Sequence, residues 1–120
     1  MYQDRFEARL AKVRHRFAGS LASRVDDTIA AFSNGADETP EAAAGVDRAY
    51  RRIHSICSIA LTAGFPATAK VAGDAEALLL PPIRSGRSPS RQEGALVRQA
   101  LQALRKAAEA ELQIMYGRGG

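Results

Sequence analysis

Apolar positions in this chain recur at steps of three and four residues, the spacing of helices that bury one face. Phe6, Leu10, Val13 and Phe17, with Arg5, Arg9, Lys12 and Arg16 between them, predict an amphipathic helix over Gln3 to Ala18. Ser20 is a candidate cap for a second helix carrying Leu21, Val25, Ile29 and Phe32, which the turn-forming stretch SNGADETP then stops. Thr39, Pro40 and Glu41 read as the next start, because proline loses nothing at the first helical position and glutamate suits the positive end of the helix dipole. That helix can run to Gly64, about 37 Å at 1.5 Å per residue.

Gly64 suits a left-handed cap and Pro66 a new first turn, so Phe65 to Leu80 is expected to return antiparallel to the preceding helix. PPIRSGRSPS at 81–90 is a loop by composition. Ser90 and Glu93 have the spacing of a capping box, and Leu96, Ala100, Leu101, Leu104, Ala107 and Leu112 supply the last helix with an apolar face. The glycine-rich end at 117–120 is expected to be disordered. With no strand pattern and no repeat, the expected fold is all-α: one domain over 1–120, an antiparallel up-down four-helix bundle with an additional N-terminal helix.

Composition adds limits. Apolar residues make up 46% and aromatics only 6%, an alanine-rich mixture that favours helix. The densest apolar run, ALLLPP, is far short of the roughly 18 residues a membrane helix needs, and MYQDRFEARL lacks a signal peptide's apolar centre. The expectation is a cytoplasmic protein with no membrane association. Cys57 is the single cysteine, so no internal disulfide can form. The net charge of +4 reads first as a solvated helical surface with some excess arginine, and acidic protein partners are the lesser alternative. Arg84, Arg87, Arg91 and Arg98 are interrupted by Glu93 and lie in no nucleic-acid-binding motif, so no nucleic acid is expected.

The candidate chemistry lies in RRIHSICSIALTAG, residues 51–64. Advancing 100° per residue from Ile53 gathers Val46, Ala49, Tyr50, Ile56, Cys57, Ala60 and Gly64 on one apolar face. His54 falls on the shoulder of that face, beside the polar side of Asp47, Arg51, Ser55, Ser58 and Thr62. A shoulder imidazole can have one nitrogen held by the protein while the other meets a partner, which suits a nucleophile. Its helical neighbours are Tyr50, Arg51, Cys57 and Ser58; Arg51 could pair with an anionic group on the ring, or be a solvated charge.

These residues resemble the central motif of histidine phosphotransfer (HPt) domains of bacterial phosphorelays, with His54, Ile56, Ala60 and Gly64 at the family's positions and FPATAKVAGDAEALL similar to its next helix. Cys57 stands where the family usually has lysine and Ser58 where it has glycine. The first change removes a cation that would neutralise a phosphoryl group; Arg51, Arg52 or Lys70 could replace it. The resemblance implies a monomeric phosphocarrier without a complete active site of its own. His54 would accept a phosphoryl group from a response-regulator receiver domain or a histidine kinase, and the receiver would bring the Mg²⁺, so the chain itself would need no cofactor. Arg51, Cys57, Ser58 and Gly64 would support the site, and Tyr50, Ser55, Ile59 and Phe65 would form the docking surface, with Ile59 and Phe65 exposed.

Two other readings stand beside it. An interaction module, either HPt-like or a plain bundle, would bind receivers without carrying phosphate, and the missing lysine favours it. A metal site from His54 and Cys57 needs a further ligand, and His15 lies on another helix without supporting spacing, so none is expected.

Overall fold

A computed structural model describes residues 2–33 and 40–119, and the described residues are helical apart from two short turns. Four helices follow one another: α1 (Tyr2–Ser33), α2 (Pro40–Ala63), α3 (Pro66–Arg84) and α4 (Arg91–Gly119). Each packs on its neighbour in sequence, and α4 also meets α1. Contacts between neighbours run in opposite order along the two chains: Arg14 with Ala63 and Asp27 with Arg52 across α1 and α2, and Thr68 near the start of α3 with Glu111 late in α4. No described helix is long and apolar enough to cross a membrane.

The expected break between two N-terminal helices does not occur; α1 is continuous and the additional helix is its first half. Gly19 is exposed and Ser20 caps nothing, since its hydroxyl donates to the Phe17 carbonyl at 3.2 Å and accepts from Arg24 Nε at 2.8 Å. Phe17, Leu21, Val25, Thr28 and Phe32, all buried, form one uninterrupted stripe through this point. Core burial along that stripe outweighs the roughly 1 kcal/mol cost of a glycine in mid-helix. Pro40 begins α2 as expected, whereas Thr39 lies outside the described residues.

α3 runs four residues past its expected end, through Pro81 and Pro82. Both prolines can hold helical φ, and their carbonyls still accept. Ser85 N–H donates to Pro81 O at 3.1 Å and Arg87 N–H to Pro82 O at 3.0 Å, while Gly86 adopts φ 62° and donates to Ile83 O. This is a glycine-closed C-terminus, so the stop signal is Gly86 rather than the prolines. α4 starts as its capping box predicts: Glu93 N–H donates to Ser90 Oγ at 3.1 Å and Ser90 N–H to Glu93 Oε1 at 2.9 Å. Its core line is Val97, Leu101, Leu104 and Ala108, one residue round from the expected face, and Leu96 is exposed. The helix continues to Gly119, and Gly120 lies outside the described residues.

The turn between α2 and α3 is held from both sides. Gly64 adopts φ 85°, Gly64 N–H and Phe65 N–H both donate to Ala60 O, Arg14 Nε donates to Ala63 O at 2.8 Å, and Glu111 accepts Thr68 N–H at 2.6 Å. Helices α1 and α4 thereby satisfy backbone groups that the ends of α2 and α3 leave open. Phe65, expected on the surface, is 3% exposed and packs edge-on against Phe17 with ring centroids 5.3 Å apart.

Gly64→Ala would force a side chain into left-handed backbone and set its Cβ 3.3 Å from Arg14 Nη2. A loss of about 1–2 kcal/mol is expected, read as a lower urea midpoint with unchanged slope. The Arg87 guanidinium and then the Ser90 backbone hold the exposed Glu93 carboxyl down at about 2. Because its folded value is depressed, its stabilising contribution is present above the ordinary carboxylate range near 4.3 and is lost as pH falls through about 2. A carboxyl-carbon NMR titration should find that midpoint, and Arg87→Ala should return it towards the ordinary range.

Candidate functional site

Both α2 and α3 bury several alanines. Ala49, Ala60 and Ala63 of α2 and Ala69, Ala72 and Ala75 of α3 are buried, and a Cβ added at Gly73 would lie 3.9 Å from Cys57 Sγ. With small side chains in this seam, a glutamate at its edge can reach across.

Glu76 does so: its Oε1 lies 2.5 Å from His54 Nδ1. An ionised carboxylate only accepts, so Nδ1 carries the proton, and in the neutral ring the lone pair belongs to Nε2. The His54 side chain is 62% exposed and that of Glu76 only 18%, so the carboxylate is sheltered while the ring is largely open to solvent. Tyr50, half-buried one turn earlier, stacks on the imidazole with ring planes 17° apart and centroids at 6.3 Å. The ring is therefore oriented by a carboxylate at one nitrogen and an aromatic face on its flank.

The other expected site residues divide. Ser58 is exposed on the same side of α2, and Leu61, two turns from His54 and 69% exposed, extends that face as an apolar surface. Gly64 acts at a distance by closing α2. Ser55 is half-buried on the α1 side, where it lines a cleft of about 210 Å³ with Arg24, Arg51, Arg52 and Ile56. Ile59 is also half-buried and packs against the core, and Phe65 is buried, so neither supplies the exposed apolar docking surface expected of them.

None of the three cations proposed to replace the family lysine pairs at the imidazole. Arg51 pairs with Asp47 at 3.0 Å, Arg52 lies 3.9 Å from Asp27, and Lys70 pairs with Asp74 at 3.2 Å. Cys57 is no substitute. Its thiol lies 3.5 Å from the Ala69 carbonyl, and burial, reinforced by the charge of Glu76, pushes its pKa up and keeps it protonated. Among the described residues no three of histidine, cysteine, aspartate and glutamate come together to hold a metal ion. Arg87, counted in the basic stretch near the last loop, is engaged by Glu93 at 2.6 and 3.1 Å.

Sequence reasoning missed Glu76 and Leu61. A signal for Glu76 exists: positions 54 and 76, like 57 and 73, are symmetric about residue 65, the centre of the α2–α3 turn. Reflecting His54 through that turn points to Glu76. Comparison with protein-family models, characterised proteins and solved structures finds no match.

Glu76→Ala removes the partner that holds the proton on Nδ1. Nitrogen-15 spectra of the neutral ring should show Nε2 as the unprotonated nitrogen in the parent and a shift towards the Nε2–H tautomer in the variant. An unchanged tautomer ratio would mean that Glu76 does not orient the ring.

Proposed function

We propose that this chain is a histidine-containing phosphotransfer protein with His54 Nε2 as the phosphoacceptor, built as an antiparallel up-down four-helix bundle whose first helix is long. The observation that carries the reading is the pairing of His54 Nδ1 with the sheltered carboxylate of Glu76 in a ring largely open to solvent. The motif residues His54, Ile56, Ala60 and Gly64 add the family resemblance.

The step balances without a cofactor in this chain. The Nε2 lone pair attacks the phosphorus of an aspartyl phosphate on a receiver domain, an N–P bond forms, and the P–O bond breaks with its electrons leaving on the aspartate carboxylate. The ring becomes cationic as Nε2 gains its third substituent, and the Nδ1–H bond to Glu76 stabilises that charge. Onward transfer reverses these changes at a second receiver. Mg²⁺ and the acidic residues that hold it belong to the receiver, and a histidine kinase is the other possible donor. Leu61 and Ser58 form the near part of the docking surface, with Tyr50 backing the ring. A cytoplasmic setting follows from such partners.

One observation favours the binding-only alternative: Arg51, Arg52 and Lys70 are engaged elsewhere, so the chain offers the phosphoryl group no cation where the family has lysine. The two readings separate by incubation with phosphorylated receivers or an autophosphorylated kinase. Phosphotransfer gives acid-labile, alkali-stable label on the parent, none on His54→Gln, and on Glu76→Ala a rate lower by on the order of 10–100-fold. Label persisting in His54→Gln would move the site. Receiver binding without label would establish the alternative.

A further inference from the structure

The first turns of α1 project past the body of the protein. Arg14 reaches the last residue of α2, so residues 2–13, about 18 Å of helix, lie beyond the α2–α3 turn, flanked by the end of α4. Every described side chain from Gln3 to Arg16 is exposed except Leu10, which is half-buried. The apolar stripe of this segment is therefore largely bare, with Phe6 64% and Val13 42% exposed. Ile114 and Tyr116 of α4 are also more than half exposed. An amphipathic helix gains little from such a stripe unless something covers it. Just past Val13, between Arg14, the α2–α3 turn and α4, lies a groove of about 400 Å³ lined by Arg14, Gly64, Phe65, Glu111, Ile114 and Met115.

The charges beside the stripe select the occupant. On the helical wheel Arg5, Arg9 and Arg16 fall together along one flank, with Lys12 just behind them, while Glu7 lies on the other flank. Among the described residues none of these four cations makes an ion pair. A second copy in a symmetric antiparallel pair would set this basic flank against itself. A lipid surface favours cations on both sides of the apolar face, whereas here the cation on the other flank, Arg14, is tied to the Ala63 carbonyl and lines a groove with Glu111, which leaves the unpaired cations on one side.

We infer that the α1 overhang and the end of α4 form a docking site for an acidic amphipathic helix of a partner protein, which lays its apolar face along Phe6, Leu10 and Val13 and its carboxylates along Arg5, Arg9 and Arg16. One side chain of that partner enters the groove beside Ile114 and Met115, whose flexible thioether adapts to it. The inference is independent of the phosphotransfer reading, since it uses no residue of the His54 face.

The test is an NMR titration of the isotope-labelled full chain with two synthetic helical peptides, one with leucines at heptad core positions and glutamates elsewhere, the other with lysines replacing the glutamates. Shifts confined to Phe6–Val13 and Ile114–Tyr116 are expected with the acidic peptide only, weakening as sodium chloride is added. Phe6→Glu changes an exposed position and should keep the helical circular dichroism while weakening binding on the order of tenfold. Equal binding of the lysine peptide, or no shifts with the acidic one, overturns the inference. So does a dimer in sedimentation that Phe6→Glu dissociates, which would make a second copy the occupant. Co-sedimentation with phosphatidylglycerol vesicles without acidic-peptide binding would assign the surface to lipid and likewise overturn it.

Discussion

The separation between α2 and α3 is the constraint on which the candidate site depends. Interaxial distance follows the side chains at the contact, and here Cys57 meets the Ala69 carbonyl and lies beside Gly73. The turn holds the same register from one end: Gly64 reverses the chain, Arg14 takes the last carbonyl of α2, and Glu111 takes an amide in the first turn of α3. Core packing and site geometry are thus one problem.

Electrostatically the site is lopsided. It has a carboxylate at the imidazole, and among the described residues no cation is paired beside the ring. In a phosphotransfer step the two needs differ in kind. Ring orientation has to exist before the partner arrives, because the lone pair must already be on Nε2. Charge neutralisation of the phosphoryl group can come with the partner, whose metal ion sits on the same oxygens. Under the proposed reading, Glu76 supplies the part that cannot come in trans.

Much of the fold is readable from spacing alone, since the three- and four-residue steps mark every helix and Ser90, Glu93, Gly64 and Pro66 mark ends that the structure uses. What misleads are local signals that lose to longer-range packing. Gly19 and Ser20 look like a break, yet the stripe from Phe17 to Phe32 buries continuously through them. Pro81 and Pro82 look like a stop, yet the end is closed by Gly86. Phe65 projects outward on the wheel of α2, but it follows the turn and faces Phe17 of α1. The shoulder position of His54 is legible within one helix, whereas its partner lies 22 residues away and becomes visible only when the register of the hairpin is known.

The same logic separates the two exposed faces. Around His54 the exposed groups are small or single: Ser58, the ring itself, and Leu61. At the opposite extreme, the α1 overhang has a regular stripe with an ordered row of unpaired cations and no reactive group. Its periodicity is as strong as that of the segments that build the core, since Phe6, Leu10 and Val13 run in register into Phe17. A stripe that continues past the last helix available to cover it is excess to folding, and the burial free energy it withholds from this chain is available for association.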